Sequence, residues 1–256
     1  MRQIGVGTYS TTPRIRALVN EVLDTGRLSY GPMCKKFEKE FAELHGADYA
    51  VLSNSGTSSL HVALQAMKEH YDWKDGDEVI VPAVTFVATV NVVTHNNLKP
   101  VLVDVDPLYY ELDPALIEAS VTDRTRAIIP VHLFGQSCDM EAISDAAWDY
   151  DLCLIEDSCE TMFVKQRGQH IGTHSHVACF STYVAHLLTT GVGGIATTHI
   201  PELAVIMRSL VNHGRDNIYI SIDDNKGLKD DELREVIGRR FLFQRPGHSF
   251  RITELE

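Results

Sequence analysis

Seven short apolar runs, separated by stretches of helical period, constrain this chain more than any other feature. They are Tyr49–Leu52, Glu78–Val81, Pro100–Val105, Ala127–Leu133, Cys153–Glu156, Val177–Ser181 and Gly194–Thr197. Several are rich in Val and Ile and apolar throughout, as strands buried on both faces must be. Helical spacing predicts helices over Pro13–Thr25, Cys34–His45, Ser58–Tyr71, Phe86–Asn96, Pro114–Ser120, Met140–Tyr150 and Pro201–His213. The first follows Thr11-Thr12-Pro13, a capping hydroxyl and then a proline suited to the first helical turn. Alternation of the two periods predicts an α/β fold, one sheet with helices on both faces. The charged segment Asp223–Glu235 predicts a surface loop leading into a helix, and Arg251–Glu256 predicts the start of another.

The chain has 256 residues, room for one α/β domain with a full core. Its net charge of −12, with no basic stripe, argues against a nucleic-acid partner. An acidic surface repels anions at long range, so any phosphate site must be built locally. Five scattered cysteines with no CxxC pair read as reduced thiols of a cytoplasmic protein. The N-terminus has no signal-type apolar stretch, and no run is long enough to span a bilayer, so no membrane association is expected. His170, His174 and His176 lie close together but lack a supporting carboxylate or cysteine pattern, and no metal is expected there.

Three stretches carry chemistry. Ser53-Asn54-Ser55-Gly56-Thr57-Ser58 follows a predicted strand and opens a predicted helix. A glycine there admits close approach of a ligand, and free N–H groups at a helix start suit an anion. A plain capped turn would have the same sequence. Leu154-Ile155-Glu156-Asp157-Ser158-Cys159-Glu160 puts acidic groups at the carboxyl end of a strand, where open α/β sheets bind ligands, although solvated loop acids also occur there. The third stretch runs from Cys179 through Ser181 and His186 to Gly191-Val192-Gly193-Gly194. A lone histidine in it has a structural reading as well as a chemical one.

Together and in this order, the three stretches resemble the DegT/DnrJ/EryC1/StrS family of sugar aminotransferases. Further likeness lies in Phe37-Glu38-x-x-Phe41, Gly76–Pro82, Thr85–Thr89, Val103–Asp106, Pro130–Gln136 and Asn212–Arg215, so that it extends from Gly31 to Glu256. The resemblance implies an aspartate-aminotransferase-like (type I) large domain with a mostly parallel seven-stranded sheet. It implies residues 1–230 as the domain that binds pyridoxal or pyridoxamine phosphate. Residues 231–256 would begin a C-terminal region whose small domain is largely missing. Gly56, Thr57 and Ser181 would hold the cofactor phosphate, Phe86 would stack on the ring, and Asp157 would pair with the ring nitrogen. Glu160 would lie near the ring hydroxyl. The resemblance also implies a homodimer, a nucleotide-linked 4-keto sugar as substrate and L-glutamate as amine source.

One departure directs the functional reading. Five residues after Ser181, where the family carries its lysine, stands His186, and no lysine occurs between Lys165 and Lys226. Imidazole cannot form the lasting imine that anchors pyridoxal phosphate, but it can move protons. The expected resting cofactor is therefore pyridoxamine phosphate without a covalent link. Lysine-to-histidine replacement, with Cys159-Glu160 beside it, resembles the family's sugar-nucleotide 3-dehydratase branch. There His186 would take a proton from the cofactor's C4′ carbon and assist departure of the sugar's 3-hydroxyl. An aminotransferase working without a lysine and a non-catalytic homologue are the alternatives. Other departures are Gly191–Gly194 in place of a Gly-Glu-Gly-Gly run, and Ser249 in place of an asparagine.

Overall fold

In the computed structural model, residues 9–215 and 227–256 are described. Helix α1 (Pro13–Thr25) starts as predicted: the Thr12 hydroxyl accepts the Ile15 N–H at 3.2 Å, and Pro13 occupies the first turn. Then come α2 (Pro32–His45), β1 (Tyr49–Ser53), α3 (Gly56–His70), β2 (Glu78–Pro82), α4 (Val87–His95), β3 (Lys99–Val103) and β4 (Thr125–Ile128). They are followed by α5 (Met140–Asp149), β5 (Cys153–Asp157), a small hairpin of β6 (Lys165–Gln166) and β7 (Gln169–His170), then β8 (Val177–Ser181) and β9 (Gly194–Thr198). Helices α6 (Pro201–Val211) and α7 (Asp230–Arg239) complete the order.

Seven strands form one sheet in the order β1-β9-β8-β5-β4-β2-β3. The pairs from β8 through β3 are parallel, and β9 runs antiparallel to both its neighbours. Strand alternation sends successive side chains to opposite faces. Val51, Val79, Val81, Ile155, Val177 and Ala196 meet α3, α4 and α6 in one core. Ala50, Leu52, Ala178, Phe180 and Ile195 meet α2 on the other face, while Ile80, Ile128 and Leu154 meet α5. Every residue of β2, β8 and β9 is buried, as in strands covered on both faces, with polar residues only at their ends.

Two local expectations are corrected. Pro114–Ser120 is not one helix but two short 3₁₀ turns, Pro114–Leu116 and Glu118–Ser120. Such turns suit a connector too short to propagate a helix. Residues 251–256 form no helix either. The chain leading into it returns across the domain: His248 and Phe250 donate to Leu210 O and Val211 O at 2.7 and 3.1 Å, Asn54 donates to Phe250 O at 2.8 Å, and Glu254 donates to Leu28 O at 3.0 Å. Of the charged segment predicted over Asp223–Glu235, residues 223–226 lie outside the described residues, and helix α7 begins at Asp230.

The returning segment ends by capping α2. One Glu254 oxygen accepts the N–H groups of Gly31 (2.5 Å) and Cys34 (3.0 Å), and the other accepts that of Met33 (3.0 Å). Glycine at the N-cap offers no side-chain acceptor, so a carboxylate more than two hundred residues away supplies it. Three charge-assisted bonds to a helix N-terminus are strong. Glu254→Ala is expected to lower stability by about 2–3 kcal/mol, measured by denaturant unfolding, whereas an unchanged midpoint would mean that solvent replaces the carboxylate.

Candidate functional site

The carboxyl ends of β1, β2, β5 and β8 converge on one cavity of about 360 Å³. This is where a mostly parallel sheet opens between its connections. Gly56, Thr57, Phe86, Asp157, Glu160, Ser181 and His186 all line it. A hollow of about 630 Å³ lies elsewhere, between α1, α2 and residues 252–256. Its buried carboxylate, Glu254, is already engaged by α2.

The turn from β1 into α3 forms one wall. Ser55 caps the helix by accepting the Ser58 N–H at 3.0 Å, and the Ser58 hydroxyl donates to Asn54 Oδ1 at 2.7 Å. The N–H groups of Gly56 and Thr57, in the first turn, have no intrahelical acceptor. Two glycines let the chain pack here. A Cβ on Gly56 would stand 2.7 Å from Ser181 Cβ and 2.8 Å from Cys159 Sγ. A Cβ on Gly194 would collide with the backbone of Ser55. The turn therefore lies directly on β8 and β9, beside the Ser181 hydroxyl.

Asp157 ends β5 and is 5% exposed. Its Oδ2 accepts the Thr89 hydroxyl at 2.7 Å, and its Oδ1 accepts the Cys159 N–H at 3.2 Å. Among the described residues neither lysine nor arginine lines the cavity. A buried carboxylate without a cation is costly, so this geometry suits a positively charged ligand atom. Burial, and then the adjacent Asp157 carboxylate, push the Cys159 thiol well above its ordinary range. Cys159 is accordingly a neutral wall of the cavity rather than a nucleophile.

Phe86 is the N-cap of α4 and is 68% exposed, an aromatic face at the cavity. Glu160 accepts the Phe134 N–H at 3.4 Å. His186 follows β8 in a turn closed by its own N–H to Tyr183 O at 2.8 Å. Its ring stands edge-to-face with Tyr183, centroids 5.8 Å apart, and its buried Nδ1 has no hydrogen-bond partner. His213 and Arg215 do not line this cavity: Arg251 bonds His213 at 3.0 Å, and Arg215 lies over the Phe243 ring. Sequence reasoning singled out neither Tyr183 nor Thr89. Thr85 and Thr89 are four residues apart, and that helical spacing was the available signal.

The model of the DegT/DnrJ/EryC1/StrS aminotransferase family matches residues 10–256. The chain belongs to this family. It is 39% identical over 242 residues to GDP-perosamine synthase of Caulobacter vibrioides, covering 94% of this chain and 59% of that protein. It is 38% identical over 224 residues to dTDP-3-amino-3,4,6-trideoxy-alpha-D-glucose transaminase of Streptomyces venezuelae, covering 87% of this chain and 58% of the transaminase. Among solved structures it resembles E. coli GDP-4-keto-6-deoxy-D-mannose-3-dehydratase with bound hydrated PLP. That match has a TM-score of 0.89 and 28% identity, and covers 100% of this chain and 65% of the dehydratase. The chain thus spans less than two thirds of the length of each, and it has the aminotransferase-like α/β fold of a family that works with pyridoxal and pyridoxamine phosphates. Among the described residues no helix is long and apolar enough to cross a membrane.

Proposed function

We propose that this chain is the cofactor-binding part of a pyridoxamine-phosphate-dependent enzyme acting on nucleotide-linked sugars, a 4-keto-6-deoxy-sugar 3-dehydratase with His186 as its base. The observation that carries the reading is that, among the described residues, His186 and no lysine shares the cavity with the buried Asp157. The cavity fits the cofactor at each end. The open N–H groups of Gly56 and Thr57 and the Ser181 hydroxyl suit a phosphate, aided by the positive end of α3. The uncompensated carboxylate of Asp157 suits a protonated ring nitrogen, and Phe86 suits a ring face.

The chemistry that such a cofactor supplies is a nucleophilic amine and an electron-accepting ring. The chain's own residues do the rest. Asp157 holds the proton on the ring nitrogen, so that the ring withdraws electrons. His186 accepts a proton at the cofactor's C4′ carbon and returns one to the departing 3-hydroxyl. Neutral Cys159 and the apolar Leu60, Val131 and Leu133 line the pocket and limit access of water. In this reading residues 1–230 form the cofactor domain, 231–256 begin a C-terminal region, and the protein works as a cytoplasmic homodimer with L-glutamate as amine source.

The 38% identity to a transaminase favours amine transfer without a lysine anchor as a second reading. One experiment tests whether the chain holds the cofactor without a lysine, as both readings require. The protein is incubated with pyridoxal phosphate and glutamate, freed of excess cofactor, and its absorption recorded before and after borohydride. Retained pyridoxamine-type absorption with no borohydride-fixed adduct is expected. A fixed adduct would identify a substitute lysine and turn the reading to amine transfer, whereas loss of all cofactor would leave a non-catalytic homologue.

A further inference from the structure

The cofactor reading gives Asp157 its task but leaves open what aims this carboxylate. Two hydroxyls behind it form a continuous chain with it. Thr85 Oγ1 and Thr89 Oγ1 are 2.8 Å apart, and Thr89 Oγ1 lies 2.7 Å from Asp157 Oδ2. An ionised carboxylate only accepts hydrogen bonds, so the Thr89 hydroxyl must donate to it. Its proton being committed, Thr89 must accept from Thr85. The direction of both bonds is thereby fixed, and each polarises the next.

The placement is rigid. Thr89 is fully buried, and its branched side chain has few rotamers available within a helix. It sits in the first turn of α4, three residues after the N-cap Phe86, with its N–H bonded to Phe86 O at 3.1 Å. One helical turn therefore carries both the exposed Phe86 ring and the hydroxyl that grips Asp157. The Cys159 N–H holds the other carboxylate oxygen from the β5 side. Held at both oxygens by donors from two elements, the carboxylate cannot rotate without breaking a bond.

We infer that Thr89, backed by Thr85, is a positioning residue that orients the Asp157 carboxylate toward the ring nitrogen of the bound cofactor. It acts through Asp157 and touches no reacting atom. The inference rests on the cofactor reading above and adds to it a residue that the resemblance did not assign a role.

The test compares wild type, Thr89→Val and Thr89→Ser. Valine keeps the branched shape and removes the hydroxyl; serine keeps the hydroxyl and removes the methyl. Each protein is titrated with pyridoxamine phosphate labelled with ¹⁵N in the ring, following binding and the ring-nitrogen NMR signal. Thr89→Val is expected to bind about ten-fold more weakly and to move the ring nitrogen toward its unprotonated signal at neutral pH. Thr89→Ser is expected to keep both within about two-fold of wild type, as conservation of the donor requires. Thermal unfolding without cofactor reads the packing role separately. If Thr89→Val binds like wild type with an unchanged nitrogen signal, the positioning role is wrong and the cofactor reading stands. If Thr89→Ser loses as much as Thr89→Val, the methyl and not the hydroxyl matters, and the role is again wrong. If wild type itself binds no pyridoxamine phosphate, the cofactor reading falls and takes this inference with it.

Discussion

Replacing His186 with asparagine is expected to slow proton removal at C4′ by about 10²–10⁴-fold while leaving cofactor binding within a few-fold of wild type. The measurement is exchange of deuterium from C4′-labelled pyridoxamine phosphate in the presence of a 4-keto sugar nucleotide. It reads the proton transfer alone, without requiring a full catalytic cycle. Asparagine keeps a polar side chain in the turn closed by the His186 N–H to Tyr183 O, but it has no basic nitrogen. The free Nδ1 of His186 makes no hydrogen bond, so the replacement breaks no side-chain bond of that atom. A converse variant sharpens the test. His186→Lys restores an amine that can form an imine with pyridoxal phosphate, and a borohydride-fixed adduct absent from wild type is expected. Unchanged exchange in the asparagine variant would remove His186 from the mechanism and point to another base in the cavity.

The second large effect concerns Asp157. Asp157→Asn keeps the size of the side chain and an acceptor for the Thr89 hydroxyl but removes the charge. Deleting one partner of a buried ion pair costs about 3–5 kcal/mol, so affinity for pyridoxamine phosphate should fall by about 10²–10⁴-fold. The signature that separates pairing from packing lies in stability. Without cofactor, the buried carboxylate has no lysine or arginine beside it among the described residues lining the cavity. Neutralising it is therefore expected to leave the melting temperature of the cofactor-free protein unchanged or higher, while the extra stability conferred by added cofactor is lost. A variant destabilised equally with and without cofactor would show that Asp157 serves the fold rather than the ring nitrogen.

Much of the architecture is local and was legible. The apolar runs became strands, the fourth ending at Ile128 and not at Leu133, because their side chains alternate into two cores, as with Val79 and Val81 on one face and Ile80 on the other. The capped start of α1 and the Ser55 cap of α3 depend on residues within one helical turn, which a sequence displays directly. Two expectations failed for the complementary reason. Pro114–Ser120 has a proline start but too few residues to sustain an α-helix against its nucleation cost. Residues 251–256 looked helical in isolation, yet Glu254 is held on α2, and the preceding His248 and Phe250 are bonded to α6 and Asn54.

The sequence by itself determined the alternating α/β class, the caps, and the replacement of a lysine by His186 that directs the functional reading. Tertiary structure alone decided which groups stand together: Thr89 against Asp157, 68 residues apart, and Glu254 on Gly31, 223 residues apart. It also decided that β9 runs antiparallel and brings Gly194 against Ser55. The physical reason is range. Periodicity and capping are set by neighbours along the chain, and a hydroxyl or a carboxylate at one position looks the same whether solvent or a distant donor satisfies it. Only packing of the whole sheet selects the partner, because burial makes an unmatched polar group costly.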